Sequence, residues 1–181
     1  MSMHDDLAKV LLTEQEIHTR VAEIGAAISK DFEGKNPLLV GVLRGSVVFM
    51  SDLMRSLSIP CTIDFMAVSS YGNGTSTTGA VKINKDLSED IENRHVIIVE
   101  DILDTGTTLS YLKRYLLNRK PASITIATLL DKPERRRADI SASYSGFSVP
   151  DEFVVGYGLD YAEQYRNLPY IGVLKPEIYT K

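Results

Sequence analysis

Apolar positions along the chain switch between two periods. Ile17, Val21, Ile24 and Ile28 share one face at helical spacing, behind the capping box Thr13-Glu14-Gln15-Glu16 and ahead of Gly34 and Pro37. They predict an amphipathic packing helix whose polar face, with His18 and Arg20, is solvated. Uninterrupted apolar runs replace this pattern at Leu38 to Leu43 and at Val96 to Val99, as expected of strands buried on both faces of a parallel sheet. Each run passes through a glycine-bearing turn into another helical pattern. Val47, Met50, Leu53, Met54 and Leu57 follow the first, and Leu109, Leu112 and Leu116 follow the second, which Asn118 and Pro121 end. Ile63, Phe65 and Ala67 alternate along a third strand with Val81-Lys82-Ile83 as its hairpin partner, and Ile124 to Leu130 marks a fourth, closing on Asp131-Lys132-Pro133. Strands alternating with helices predict an α/β fold, with a mainly parallel central sheet flanked by helices.

Composition narrows the class without changing that picture. Residues 1–181 suffice for one domain with a small appended lobe. A net charge of -4 and the lack of a basic arm argue against general affinity for nucleic acid or an anionic membrane. The single Cys61 excludes an internal disulfide and reads as a small apolar filler in a strand. Met1 to Lys9 is polar and acidic, with no hydrophobic signal core, and no stretch approaches the roughly 20 apolar residues of a membrane span. Cytoplasmic residence is the expectation.

The chemistry concentrates where the second buried run ends. Glu100, Asp101 and Asp104 place three carboxylates within five residues, and Asp104-Thr105-Gly106-Thr107-Thr108 offers capping side chains, a glycine and the free amides of a helix N-terminus. That turn suits a phosphate, and the carboxylates suit sugar hydroxyls or a hard cation. A phosphorylated ribose carrying magnesium meets both requirements. Leu43-Arg44-Gly45-Ser46 is a second anion-binding layout, although Gly45 permitting a sharp turn and Ser46 capping a helix would account for it equally. Ser69 to Gly79 is a long polar loop, either a hairpin tip or a lid. The basic cluster Glu134-Arg135-Arg136-Arg137 reads as a solvated turn or a subunit contact.

Taken together, these segments resemble a known family. Val99-Glu100-Asp101-Ile102-Leu103-Asp104-Thr105-Gly106-Thr107-Thr108 resembles the phosphoribosyl diphosphate signature of type I phosphoribosyltransferases, in the form carried by hypoxanthine-guanine phosphoribosyltransferases. Leu43-Arg44-Gly45 resembles the family's diphosphate loop, where the peptide corresponding to Leu43-Arg44 can be cis, and Ser70-Tyr71 resembles the pair on its closing lid. Phe153 to Tyr161, followed by Tyr165-Arg166-Asn167-Leu168-Pro169, resembles the purine-binding hood. Lys132 matches the base-recognising lysine. Arg44 and Thr107 stand where animal relatives carry lysine, so the chain resembles the bacterial type.

The resemblance implies a core over about 10–150 and a hood formed mainly by 151–181 with the N-terminal segment. It implies purine salvage, by magnesium-dependent transfer of a 5-phosphoribosyl group from phosphoribosyl diphosphate to hypoxanthine or guanine, giving IMP or GMP and diphosphate. Thr105, Gly106, Thr107 and Thr108 would hold the 5-phosphate. Glu100 and Asp101 would hold ribose hydroxyls or magnesium, and Arg44, Gly45 and Arg166 the leaving diphosphate. Asp160 would border the purine site and serve a second magnesium through its waters. Asp104 would act as general base at N7, unless it merely caps the helix. Lys132 would donate to the 6-oxo group, Phe153 would stack on the purine, and Val154 would offer main-chain contacts. A homodimer or homotetramer is implied. The rival expectations are a non-catalytic regulator of the same fold that binds nucleotide, and a receiver-like signalling domain.

Overall fold

Strand β5, His95–Leu103, explains the architecture. The computed structural model describes residues 2–70 and 81–180 and places β5 inside a six-stranded sheet of order β4-β3-β2-β5-β6-β7. Its neighbours are β2 (Leu38–Leu43) and β6 (Ser123–Asp131), both parallel to it. Beyond them lie β3 (Thr62–Ser70), parallel to β2, and β7 (Tyr144–Ser148), parallel to β6; only the edge strand β4 (Val81–Lys85) runs antiparallel.

The unbroken apolar run follows from this position. Successive side chains of a strand point to opposite faces, so a strand covered on both sides has no place for a polar residue. Ile97 and Val99 join a core with Ile17, Val21, Phe49 and Leu53, from helices α1 (Glu14–Asp31) and α2 (Val47–Ser56). Val96 and Ile98 face the other way, against Leu109, Leu112 and Leu116 of helix α3 (Thr107–Leu117). All four β5 residues from Val96 to Val99 are fully buried.

A second sheet, of order β1-β9-β8, is antiparallel and joins distant parts of the chain: Leu7–Leu12 (β1), Val154–Val155 (β8) and Ile171–Leu174 (β9). β1 overlaps the segment read as merely polar and acidic. Only Leu7 of that strand is buried, so its sequence carries little hydrophobic signal, and pairing with β9 decides its conformation. A single-turn 3-10 helix, Met3–Asp6, precedes it.

Local expectations fare unevenly. The Thr13/Glu16 capping box forms, with Glu16 N donating to Thr13 Oγ1 at 3.2 Å and Thr13 N to the Glu16 carboxylate at 2.8 Å. Arg20 is not simply solvated: its guanidinium donates to the carbonyls of Gly146 (2.9 Å) and Ser145 (2.7 Å), fastening α1 to the edge strand β7. Ser46 stands at the start of α2 without capping it and instead donates to Val42 O at 2.7 Å. Cys61 precedes β3 and is only partly buried.

Because Ile98 is enclosed by β2, β6 and α3, Ile98→Ala should lower the unfolding free energy by about 2–5 kcal/mol. Urea denaturation of the two proteins checks this.

Candidate active site

The chain leaves β2 toward α2 and β3 on one side, and leaves β5 toward α3 and β6 on the other. The carboxyl ends of β2 and β5 therefore flank the point where strand order reverses, where open α/β sheets bind ligands. Both candidate anion loops begin there. Leu43-Arg44 at the end of β2 is a cis peptide.

Glu100 and Asp101 lie at the mouth of β5, partly exposed but largely withdrawn from solvent. Burial, followed by the charge of Asp101, pushes Glu100 well above the usual carboxylate range. Asp101 is pushed up too, chiefly by burial. It is opposed by the Ile102 amide, which donates to Asp101 Oδ1 at 2.8 Å, and by the charge of Arg166. Gly45 closes against this pair so tightly that a Cβ there would stand 1.9 Å from Asp101 Oδ2. Only glycine permits that approach of the two loops. Among the described residues no three His, Cys, Asp or Glu side chains form a metal cluster. The adjacent carboxylates of Glu100 and Asp101 fit a hard cation that takes its other ligands from water and substrate, the usual manner of magnesium.

The following turn brings a correction. Neither Asp104 nor a threonine caps α3; the N-cap is Gly106, held at φ +79, with no side-chain cap. The approach of the Thr107 amide to Thr105 Oγ1 is long, at 3.4 Å. The helix thus presents amides that no strong internal acceptor occupies, a better anion site than a capped one. Asp104 instead accepts from Arg135 Nε at 2.6 Å. The basic turn is exposed at Glu134, Arg135 and Arg137, as expected, but Arg135 and Arg136 also make specific contacts to the site. Arg136 donates to Asp104 O (3.1 Å) and Ile140 O (3.0 Å) and is paired with Asp131. Sequence spacing concealed this, because 31 residues separate Arg135 from Asp104 and the contact depends on β6 lying beside β5.

Past β8 the chain carries four non-glycine residues with positive φ, at Tyr157, Ala162, Glu163 and Tyr165. Backbone held this way is costly and needs surrounding support. Part of that support is polar: Glu163 N donates to Asp160 Oδ2 at 2.9 Å, and Arg166 donates to Gly158 O at 2.8 Å while pairing with Asp160 at 3.1 Å. Glu163, which the sequence did not single out, reaches Arg44 at 2.7 Å and Arg166 at 3.4 Å, joining the two arginines. Arg166 Nε is buried and has no partner among the described residues.

Two cavities meet at Asp104. One, of about 240 Å³, is lined by Glu100, Thr105, Gly106 and Thr108 together with Asp104. The other, of about 340 Å³, is lined by Asp104, Lys132, Arg135, Asp151, Phe153 and Tyr179, among others. Lys132 is almost wholly buried there, and its ammonium donates to Glu152 O at 2.7 Å. Phe153 is 37% exposed, so part of its ring is open to a ligand, whereas Val154 is buried in β8. Ser70 ends β3 exposed, and its expected partner on a lid, Tyr71, lies outside the described residues.

Comparison with known proteins agrees with this arrangement. The model of the phosphoribosyl transferase domain matches residues 8–162. The hypoxanthine-guanine phosphoribosyltransferase of Staphylococcus aureus strain Mu50 is 58% identical over 178 residues, covering 98% of this chain and 99% of that protein. The bifunctional protein TilS/HprT of Listeria monocytogenes serotype 4b is 55% identical over 180 residues; the chain spans only 28% of its length. A crystal structure of a hypoxanthine phosphoribosyltransferase from Staphylococcus aureus superimposes with a TM-score of 0.96 at 57% identity, covering 99% of this chain and 97% of that one. The chain belongs to the phosphoribosyl transferase family, and its fold is that of the type I enzymes.

Proposed function

We propose that the chain is a purine-salvage enzyme. It transfers the 5-phosphoribosyl group of phosphoribosyl diphosphate to hypoxanthine or guanine, with magnesium, releasing IMP or GMP and diphosphate. The observation that carries this reading is the pair of cavities meeting at Asp104: one has carboxylates and free helix amides, the other a buried lysine and an open aromatic ring. A ligand with a phosphate and hydroxyls at one end, and a flat carbonyl-bearing ring as its partner, satisfies both.

Displacement of diphosphate from C1 builds positive charge over C1 and the ring oxygen. Its catalyst needs positioning and fixed charges more than a nucleophile. The Thr105 to Thr108 turn binds the 5-phosphate through the amides of α3. Glu100 and Asp101 bind the ribose hydroxyls and would hold magnesium, which would supply positive charge to offset that of the departing diphosphate. Arg44, the Gly45 loop and Arg166 receive that diphosphate, with the unpartnered Arg166 Nε as a ready donor. Asp160, at the purine edge beside Arg166, would serve a second magnesium through its waters.

On the purine side, Lys132 carries only donors, so it accepts a 6-oxo group and meets the 6-amino group of adenine donor to donor. Phe153 stacks on the base, and Val154 supplies main-chain contacts from β8. Asp104, at the junction, takes the N7 proton as the base attacks C1. Gly106 rather than Asp104 is the N-cap of α3, and the Asp104 carboxylate, paired with Arg135, would have to release that partner or share it with the base to take the proton.

The small β1-β9-β8 sheet with its flanking loops serves as the hood. Assembly is as a homodimer or homotetramer. Residence in the cytoplasm follows from the salvage-enzyme reading alone. No helix among the described residues is long and apolar enough to cross a membrane.

Phosphoribosyl diphosphate and magnesium, incubated with each base in turn, should yield nucleotide and diphosphate from hypoxanthine and guanine and none from adenine. A folded protein silent on both 6-oxopurines would overturn the reading, and efficient use of adenine would overturn the role of Lys132. Asp104→Asn should lower kcat by about 100-fold or more, as loss of a general base does, without lowering Tm. A kcat near that of the parent protein would remove Asp104 from the proton transfer.

A further inference from the structure

The last described residues, placed in the hood by resemblance but given no individual role, reach the purine-side cavity. After β9 ends at Leu174, Pro176–Tyr179 makes one short helical turn. Lys175 anchors it to the N-terminal segment: its amide donates to Asp6 O at 3.0 Å and its ammonium to Asp5 O at 2.6 Å. The turn closes on itself, with the Thr180 amide donating to Pro176 O at 3.0 Å and the Thr180 hydroxyl to the same oxygen at 2.7 Å.

This anchoring sets the Tyr179 ring on the Phe153 ring. Their centroids are 4.8 Å apart and their planes 22° from parallel, while Tyr161 meets the Phe153 ring edge-on at 5.6 Å and 87°. Tyr179 also packs against the small sheet's own buried cluster, which includes Leu7, Val155 and Leu174. Tyr179 thus touches both the small sheet's cluster and the Phe153 ring. Phe153 is supported on one face and one edge, and is still 37% exposed. Tyr179 and Phe153 both line the cavity that holds Asp104 and Lys132.

We propose that Tyr179 is a positioning residue for the purine. It backs the Phe153 ring, so that the opposite face meets the base already fixed in plane. An unsupported ring would have to surrender its rotamer freedom at every binding event; one held by a stacked partner and an edge contact has surrendered it on folding. The inference rests on the purine-pocket reading above. It adds that purine affinity depends on the Pro176–Tyr179 turn, which carries none of the motif residues themselves. Among the described residues the Tyr179 hydroxyl has no hydrogen-bond partner, so the ring alone is required.

The test is steady-state kinetics on the full-length protein and on Tyr179→Phe, Tyr179→Ala and Tyr179→Leu. With Ala or Leu, KM for hypoxanthine and guanine should rise about three- to tenfold, the size of an aromatic pair's contribution. KM for phosphoribosyl diphosphate should stay within about twofold, and Phe should restore the parent values. Should the Ala variant not fold, the Leu variant, which keeps the apolar bulk, carries the same expectation. An unchanged purine KM overturns the proposal. So does a lowered one, which would mean that Tyr179 fills the base's own place, and so does an equal rise in both KM values. A parent protein inactive on both purines would overturn the reaction and this inference together; an active parent with indifferent variants overturns the inference alone.

Discussion

Two adjacent carboxylates at the end of a strand whose preceding residues, Val96 to Val99, are fully buried are the constraint on which the rest depends. Burial disfavours the charge of both, the charge of Asp101 adds to this at Glu100, and Glu100 stands well above its ordinary range in consequence. The backbone of the pair is fixed from behind. The strand that carries it is locked between β2 and β6 and covered by helices on both faces. The opposing loop must then come close without a side chain of its own, which is the place of Gly45. Positive charge arrives from the far end of the chain, in Arg166.

The surrounding loops are held by contacts between segments distant in sequence. Arg44 follows β2 and Arg166 follows β8, yet both reach Glu163. Arg135 lies beyond β6 and reaches Asp104 beyond β5. The left-handed backbone at Ala162, Glu163 and Tyr165 is supported by the same network. Fixing donors and acceptors during folding suits a reaction that needs charge placed in advance rather than a covalent helper.

The sheet and its helices were legible because each obeys one period. Val96 to Val99 could only be a strand buried on both faces, and Ile17, Val21, Ile24 and Ile28 could only share one helical face. β1 was not legible: of its six residues only Leu7 is buried, and its partner β9 lies some 160 residues away. At the site, the residues at strand ends were legible because motif and position agreed. The pairing of Asp104 with Arg135, the bridging Glu163 and the stacked Tyr179 were not. Each is a contact between loops, set by which strands lie side by side, and no local pattern encodes it. Asp104 also shows the limit of capping rules, since a carboxylate before a helix resembles a cap even when a glycine holds that position and an arginine claims the carboxylate.

The central claim is that the end of β5 holds phosphoribosyl diphosphate through its carboxylates and the free amides of α3. Titration calorimetry of phosphoribosyl diphosphate into the protein, with magnesium and again with excess chelator, tests it most directly. The account predicts one site per chain with magnesium, and binding at least about tenfold weaker without it, because the buried carboxylates then face the ligand's charge uncompensated. Absence of binding in both conditions, or binding undiminished by the chelator, would contradict it.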